Sequence, residues 1–285
     1  MTHVGVNGEV REARDVRIDP LDLGLHRGLA VFDYLPVRDG RAWFLRDYLR
    51  RFRRSARAMG LQGALPADAA LADHLRELAG ATGLRHGGCK LLLTGGGSTD
   101  GYTPRAPALY CYALAGEPAP ASEAPGGGGV RVLLLEHARQ TPSVKTTDYA
   151  AAMRHYGAMR AADAAEIVYH RGGYVTEASR SNVLCVTERE QVWTPPTDAA
   201  LPGVTRKHVI AVARECGYTV LERSLPLERL LTAPEVALTG SSRGVIAVAT
   251  IASQVVGGGA PGPTTRVLAE AYLARGRRMA GWSVA

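Results

Sequence analysis

Lysine is scarce in this sequence of 285 residues, although basic residues are not. Of the 34 basic residues only Lys90, Lys145 and Lys207 are lysines, which leaves 31 arginines. At these three positions the chain has lysine, although it uses arginine at its other basic positions. Because an amine and a guanidinium differ in chemistry, the three lysines are candidate functional residues.

Cysteines and aromatic residues are also few. The four cysteines (Cys89, Cys111, Cys185 and Cys216) form no CxxC pair, and no histidine pair has zinc spacing. We therefore expect no metal site and no disulfide framework, and we interpret the cysteines as small buried residues.

The net charge of +7 comes from arginines spread along the chain, with few aromatic residues for base stacking. This pattern argues against nucleic-acid binding.

Long apolar runs are absent as well. The longest uncharged stretch, residues 244–265, is interrupted by glycines and prolines and cannot cross a bilayer as a helix. The amino terminus has acidic residues where a signal peptide has its apolar run. We expect a cytoplasmic protein that does not contact a membrane.

Length and composition predict two globular domains of mixed α/β structure. The hydrophobic content of 46% allows a large core, and 285 residues exceed one average domain. A segment rich in proline, alanine and glycine, GEPAPASEAPGGGG, is the best candidate linker. The expected parts are a smaller N-terminal α/β domain (1–117), a linker (118–129) and a larger C-terminal α/β domain (130–285) that carries Lys145.

Hydrophobic periodicity predicts strands and helices in both halves. The predicted strands are 41–45, 90–94, 108–113, 130–135, 166–170, 174–176, 182–187, 218–222 and 235–239. The predicted helices are 46–59, 67–81, 147–163 and 205–216. In the third helix Tyr149, Met153, Tyr156 and Met159 share a face, and we expect residues 95–97 to form a loop.

Lys145 lies in TPSVKTTDY, after an apolar segment and before a predicted helix. A lysine amine that is withdrawn from water favours its neutral form, which is nucleophilic and forms Schiff bases with aldehydes. The local sequence leaves open the alternative of an exposed lysine at the start of a helix.

Two turns have the composition of an anion site. In LPGVTRKHV (201–209) a helix begins after Gly203, and its free N–H groups and the Thr205 hydroxyl suit a phosphate. An ordinary helix start with a capping threonine remains the alternative. The segment TGSS (239–242) offers a second turn rich in hydroxyl groups.

Glu177, in VTEASRSN, lies between two apolar strand segments. A buried carboxylate there needs a cationic partner, and a protonated pyridine nitrogen would serve. The alternative is a glutamate on an exposed hairpin. Arg51, in RRFRRSA, is not distinguished by helical periodicity from the arginines around it.

The order and spacing of these segments closely resemble the class IV aminotransferases, the fold type IV enzymes that use pyridoxal 5'-phosphate. The likeness extends from LGLHRGLAVFDYLPVRDG to GPTTRVLAEAY, nearly the whole chain. It implies two α/β domains with the cofactor between them. It also implies amino and keto acids as substrates, and a homodimer in which the partner completes the substrate pocket.

The same resemblance implies roles for individual residues. Lys145 matches the lysine that binds the cofactor as a Schiff base and moves the substrate proton. Glu177 matches the partner of the pyridine nitrogen, and Arg51 matches a phosphate ligand. The other implied cofactor contacts are Leu201, Val204, Thr205 and Ser241.

The substrate carboxylate lacks its usual ligands. Typical D-amino-acid transaminases hold it with a tyrosine, an arginine and a histidine, but Phe32 stands where that tyrosine would be. Many relatives carry arginines in a TRGxGxRGY loop, where this chain has Gly95 and Asp100 in TGGGSTDGY. The remaining candidates for substrate binding are Arg27, Lys90 and Ser242.

A less typical group of D-amino-acid transaminases shares the TGGxSxDGYTP loop and an arginine near position 27. This likeness favours transfer of an amino group between a D-amino acid and a 2-keto acid, such as D-alanine and 2-oxoglutarate. Alternatives within the family are an L-branched-chain transaminase, an (R)-amine transaminase and an aminodeoxychorismate lyase. A non-catalytic binding protein and a nucleic-acid binder are alternatives from other classes.

Overall fold

The computed structural model describes residues 2–116, 127–187, 189 and 191–283, so most of the expected linker lies outside the described residues. The described part has the mixed α/β structure that the sequence predicts. Its strands are β1 His3–Val6, β2 Glu9–Glu12, β3 Ala30–Arg38, β4 Arg41–Trp43, β5 Gly87–Gly97, β6 Ala106–Ala115, β7 Val130–Glu136, β8 Ala164–Arg171, β9 Tyr174–Ala178, β10 Asn182–Val186, β11 Val192–Thr194, β12 Val220–Glu222, β13 Leu225–Pro226, β14 Glu235–Gly240, β15 Gly244–Ile251, β16 Gln254–Val255 and β17 Ala280–Ser283. Its α-helices are α1 Leu23–Arg27, α2 Leu45–Ala58, α3 Asp68–Ala81, α4 Ala150–Arg154, α5 Tyr156–Ala161, α6 Val204–Glu215, α7 Leu227–Leu231 and α8 Pro263–Arg278.

The chain divides into two compact units. The first consists of Met1–Glu117, Val144–Asp148 and Arg277–Ala285, and the second of Pro118–Ser143 and Tyr149–Gly276. The boundaries expected from the sequence placed Lys145 with the C-terminal part of the chain, whereas this division places it in the first unit.

Backbone hydrogen bonds explain why the Lys145 segment belongs to the first unit. The Phe32 N–H donates to the Lys145 carbonyl (3.0 Å), and the Thr147 N–H donates to the Ala30 carbonyl (3.3 Å). Thr146 also forms an antiparallel bridge with Val31. Residues 145–147 therefore run along the start of β3, on the edge that does not pair with β5.

The first unit contains a seven-stranded sheet in the order β17-β4-β3-β5-β6-β1-β2. Side chains alternate between its two faces along β3 and β5. Val31 and Leu91 lie fully buried on the face that packs against helices, whereas Phe32, Tyr34 and Lys90 on the opposite face are half-buried. The two sides of one strand thus contribute separately to the core and to a more accessible surface.

The second unit contains a ten-stranded sheet with the main order β12-β11-β10-β14-β15-β7-β8-β9-β13, while β16 pairs with β15. Strand β7 runs parallel to both β15 and β8. Every residue of β10 is buried, which is typical of a strand that is covered on both faces. The core of this unit includes Val132, Val183, Leu225 and Leu238.

Three expectations about local structure are wrong. The helix expected at 147–163 consists of two short helices separated at His155, and Met153 on its expected apolar face is 64% exposed. Residues 95–97 continue β5 instead of forming a loop. Glycine is needed at position 96, because a side chain there would collide with the Ala106 carbonyl of β6. Cys216 is exposed, unlike the other three cysteines.

None of the helices in the described residues is long and apolar enough to span a membrane.

Candidate active site

Lys145 is held against β3 by its backbone and by its side chain. Its N–H donates to the Ser55 hydroxyl of α2 (3.1 Å), in addition to the bond from Phe32 to its carbonyl. Its Nζ atom lies 4.5 Å from the centroid of the Phe32 ring, and the residue is half-buried. The amine is therefore placed at a defined point of the first unit and is not a fully exposed lysine at a helix start.

Lys90 also lies close to the Phe32 ring. It lies on β5 opposite Tyr34, and its Nζ atom is 5.1 Å from the Phe32 ring centroid. Burial lowers the pKa of the Lys90 amine. Two of the three lysines of the chain thus meet over one aromatic ring, although they are 55 residues apart in sequence (145 less 90).

Arg51 is buried and paired with an aspartate that the sequence analysis missed. Its Nε and Nη2 atoms donate to the two carboxylate oxygens of Asp33 at 2.9 and 2.6 Å, and its guanidinium lies 5.3 Å from the Tyr48 ring centroid. Asp33 is fully buried. The sequence does contain a signal for this pair. Asp33 is a charged residue within the apolar segment AVFDYLPV, and a buried carboxylate needs a cation as partner.

We expect Asp33→Asn to lower the free energy of unfolding by about 3–5 kcal/mol, because it leaves the buried guanidinium of Arg51 without a counter-charge. Urea unfolding followed by circular dichroism measures this loss. Asp73→Asn is the matched control, because it removes an exposed ion pair with Arg76 that contributes about 0.5 kcal/mol or less. A loss at Asp33 no larger than that of the control would contradict the prediction.

Arg27 is held by the glycine-rich loop of the first unit. Its Nε atom donates to the Gly101 carbonyl (3.3 Å), and its guanidinium lies 5.1 Å from the Tyr102 ring centroid. Asp100 accepts hydrogen bonds from Ser98, Tyr102 and Thr103. These bonds, above all the one from the Thr103 hydroxyl, hold the pKa of the Asp100 carboxyl well below its usual range. Asp100 therefore stabilises the loop that contacts Arg27.

In the second unit, Glu177 on β9 is only 6% exposed. Its carboxylate accepts hydrogen bonds from the Arg139 Nε atom (2.8 Å) and from the Leu201 backbone N–H (3.1 Å). The alternative of a glutamate on an exposed hairpin is wrong. The sequence analysis missed Arg139, which lies 38 residues before Glu177 and carries no local signal beyond its charge.

The anion site predicted at residues 201–209 coincides with the start of α6. Gly203 is the N-cap residue and contributes no side-chain bond, so Thr205 is not a capping residue. The Thr205 hydroxyl instead lies 3.5 Å from the Tyr272 hydroxyl. A side chain at position 203 would collide with Asn182, which also donates to the Leu201 carbonyl (2.7 Å). Glycine is thus required at the start of this helix, where the first N–H groups have no partner within the helix itself.

A buried hydroxyl lies beside this helix start. Thr239 on β14 pairs with Asn182 of β10 and is only 1% exposed. Across the described residues, its hydroxyl has no hydrogen-bond partner. Burying an unpaired hydroxyl is costly, so this position suits an incoming hydrogen-bonding group.

The turn after β14, which contains Ser241 and Ser242, is anchored by a buried carboxylate that the sequence analysis did not identify. Glu166 forms an ion pair with Arg243 in that turn. It also accepts hydrogen bonds from the Ser181 hydroxyl (2.7 Å) and the Arg180 N–H (2.8 Å). Glu166 therefore connects β8, the residues before β10 and the turn that follows β14.

The comparisons with known proteins agree with the resemblance found in the sequence. The sequence pattern of the family described as amino-transferase class IV matches residues 30–251, more than three quarters of the chain. A D-alanine aminotransferase of Bacillus licheniformis is 29% identical over 268 residues, which cover 91% of this chain and 92% of that protein. A protein of Methanocaldococcus jannaschii, provisionally named a branched-chain-amino-acid aminotransferase, is 26% identical over 280 residues, 94% of each chain.

A solved structure has the same fold. It is that of a hypothetical aminotransferase from Mycobacterium tuberculosis in its PLP-bound form, with 26% sequence identity and a TM-score of 0.79. The match covers 96% of this chain and 98% of that chain. The expected fold class and the resemblance are both confirmed, and this protein is a member of the class IV aminotransferase family.

Proposed function

We propose that this protein is a transaminase that uses pyridoxal 5'-phosphate to move an amino group between a D-amino acid and a 2-keto acid. The observation that carries this proposal is the position of Lys145 and Lys90 over Phe32. An amino acid can pair its carboxylate with the Lys90 ammonium while its Cα lies at the Lys145 amine. A substrate without a carboxylate would leave Lys90 unpaired.

The donors of the second unit fit a phosphate-bearing cofactor. The unpaired hydroxyl of Thr239 and the uncapped start of α6 are hydrogen-bond donors of the kind that a phosphate binds. We propose that Val204, Thr205 and Ser241 bind the phosphate together with Arg51. Leu201 would pack against the cofactor ring, and Glu177 would pair with its pyridine nitrogen.

Bound at these residues, the cofactor supplies an electron sink for the charge that develops at the substrate Cα. The Lys145 amine takes the proton from Cα and returns it at C4' of the cofactor, first as a base and then as an acid. The hydrogen bonds of its backbone with Ser55 and Phe32 keep the start of the lysine side chain in place while its tip moves.

Glu177 holds a proton on the pyridine nitrogen through its negative charge. Arg139 and the Leu201 N–H orient the carboxylate and compensate its burial. Arg139 acts on Glu177 and is therefore a positioning residue in this scheme.

The D-alanine aminotransferases among the relatives support the choice of D-amino acids, and so does the TGGGSTDGYTP loop. Lys90 is the carboxylate ligand in this proposal, with Ser242 as a further hydroxyl donor. We also propose a homodimer with shared active sites, in which Arg27 extends the binding site of the partner.

We expect the purified protein with 2-oxoglutarate to convert D-alanine at least about 100-fold faster than L-leucine or an (R)-arylamine, because a site with fixed positions for the carboxylate and the Cα–H accepts one enantiomer, in this proposal the D form, and an (R)-arylamine has no carboxylate. Chiral chromatography of the products measures these rates. Transamination of L-leucine alone would contradict the D-specific assignment and favour the branched-chain alternative. A protein with no visible cofactor band and no turnover would favour a non-catalytic binding protein.

A further inference from the structure

Helix α2 carries most of the net positive charge of the chain. Six of its 14 residues are arginines and one is an aspartate, so its net charge is +5, compared with +7 for all 285 residues. The sequence analysis interpreted this charge as spread along the chain, which is wrong for the excess over carboxylates. Arg51 is buried against Asp33, whereas the other five arginines are half-buried or exposed. The excess charge of the protein is therefore concentrated on one helix surface of the first unit.

The five outward arginines form a stripe along α2. With 3.6 residues in each helical turn, they lie within about 100° of the helix circumference and extend over about 16 Å. Each lies three or four residues from another, a spacing at which like charges on a helix repel each other. The stripe therefore destabilises α2 unless a partner supplies negative charge. Its members are Arg46, Arg50, Arg53, Arg54 and Arg57, called the arginine stripe below.

Carboxylates of the first unit compensate only part of this charge. The Arg53 guanidinium donates hydrogen bonds to the Asp68 carboxylate and to the Pro66 carbonyl, which ties α2 to the start of α3. The Arg50 guanidinium lies 3.4 Å from the Asp47 carboxylate, and Arg50 remains 75% exposed. An exposed pair at this distance contributes little to stability.

The other three arginines of the stripe are uncompensated. The side chains of Arg46, Arg54 and Arg57 have no hydrogen bond or ion pair in the part of the chain that the structure describes. Partial burial and the positive charge of Arg51 lower the pKa of the Arg54 guanidinium. The charge of Arg54 is thus held in an unfavourable environment, which an incoming anion would relieve.

The arginine stripe borders a groove of about 630 Å³ that is lined by α2 and α3. Apart from the stripe and Asp68, the side chains that line this groove are aliphatic. Leu45 and Leu49 come from α2, and Ala69 and Ala72 come from α3. Because alanine has a short side chain, another helix can approach α3 closely at these positions. The groove thus has a cationic side and an apolar side.

We propose that this groove binds an acidic amphipathic helix of a partner protein. The apolar face of such a helix packs against the leucines and alanines of the groove, and its carboxylates pair with the arginine stripe. Carboxylates three or four residues apart on a helix are about 5–6 Å from each other, which matches the spacing of the arginines. A helix of about 12 residues covers the length of the stripe. Both a helix in an apolar groove and an acidic motif on an arginine cluster are recurrent modes of peptide recognition.

A phosphate chain or a nucleic acid matches the groove less well. A phosphate chain has no apolar surface to bury against Leu45 and Leu49. Single-stranded nucleic acids stack their bases on aromatic side chains, and none of the described residues that line the groove is aromatic. The proposal does not rest on the proposed function, because no residue of the groove is assigned to the cofactor or the substrate.

The probe is a fluorescein-labelled synthetic peptide of about 14 residues, with glutamates at every third or fourth position and leucines and alanines on the adjacent face. Its control peptide has glutamine in place of each glutamate. Fluorescence anisotropy with the full chain at low salt measures the Kd. We expect the control peptide to bind at least about tenfold more weakly than the acidic peptide.

Two pairs of substitutions test the arginine stripe. Arg50→Gln with Arg54→Gln removes two of its charges and should raise the Kd of the acidic peptide about tenfold. Arg154→Gln with Arg160→Gln is the matched control, because it removes two exposed charges from helices of the second unit. The control pair should change the Kd less than about twofold. Thermal unfolding of the Arg50 and Arg54 variant should not begin at a lower temperature, because the substitutions remove repulsion between like charges.

Ala69→Trp tests the groove itself. Ala69 is exposed, and an indole at this position fills the groove without changing any charge. We expect the Kd of the acidic peptide to rise about tenfold, because the added ring excludes a packed helix. Inorganic polyphosphate, measured by titration calorimetry, should bind this variant and the wild type equally, because its attraction depends on charge alone.

Absence of binding by the acidic peptide would overturn the proposal, and so would equal binding by wild type and the Arg50 and Arg54 variant. An unchanged Kd for Ala69→Trp would also overturn it, because the ligand would then be a polyanion held by charge, such as a phosphate chain. These measurements require neither cofactor nor turnover. Their outcome is therefore independent of whether the protein is a transaminase.

Discussion

Lys145→Arg should lose transamination by roughly 10⁴-fold or more, because a guanidinium neither forms an imine with an aldehyde nor accepts a proton at neutral pH. The substitution keeps the positive charge and much of the length of the side chain. Single-turnover kinetics with D-alanine measure the loss. Thermal unfolding should remain close to that of the wild type, because the backbone bonds of residue 145 with Ser55 and Phe32 are unaffected.

Lys207→Arg is the control for this experiment, because Lys207 is exposed on α6 and has no role in the proposed site. Borohydride reduction followed by peptide mapping identifies the modified lysine in the wild type. We expect the cofactor adduct on Lys145. An adduct on Lys90 or Lys207, or full activity of Lys145→Arg, would show that the proposed chemistry is assigned to the wrong residue.

Glu177→Gln should lower kcat for D-alanine by roughly 10²-fold or more, because glutamine has no charge with which to hold a proton on the pyridine nitrogen. The amide keeps the shape of the side chain and can still accept the hydrogen bond from Leu201. Glu270→Gln, on the exposed side of α8, is the matched control and should leave kcat unchanged. Steady-state kinetics with both variants test the prediction.

Arg139 allows a sharper version of this test. Glu177→Gln alone leaves the Arg139 guanidinium, 14% exposed, without its carboxylate, and this should destabilise the second unit. The double variant Glu177→Gln with Arg139→Gln removes both charges and should recover part of that stability. If Glu177 acts on the cofactor, kcat stays low in the double variant. Recovery of kcat together with stability would show that Glu177 serves only to pair with Arg139.

The elements that the sequence predicts correctly are those with a clear local pattern. Helix α2 has apolar residues such as Leu49 and Phe52 at helical spacing, and the chain leaves the helix just before Gly60. Strand β3 was not predicted, because Asp33 and Pro36 interrupt its alternation of apolar and polar residues. Asp33 is compatible with a buried strand only because Arg51 lies against it in the fold, and no local pattern reports that pairing.

Strand β15 was not predicted either, for a different reason. Residues 244–251 form a continuous apolar run, GVIAVATI, which lacks the alternation of a strand with one solvated face. The strand lies inside the second sheet between β14 and β7, so most of both its faces are covered. A run of this kind looks the same in sequence whether it forms a buried strand or a buried helix.

The sequence by itself determined the family, because the residues that carry the resemblance lie in short segments whose order along the chain is enough to recognise them. It also identified Lys145, Glu177 and the start of α6 as positions of interest. Only the tertiary structure paired Arg51 with Asp33 and Arg139 with Glu177. Only the register of β3 with β5, together with the bridge between Val31 and Thr146, brought Lys90 and Lys145 to one ring. These partners are 18 to 55 residues apart, and their contacts depend on strand pairing and burial, which local periodicity does not encode.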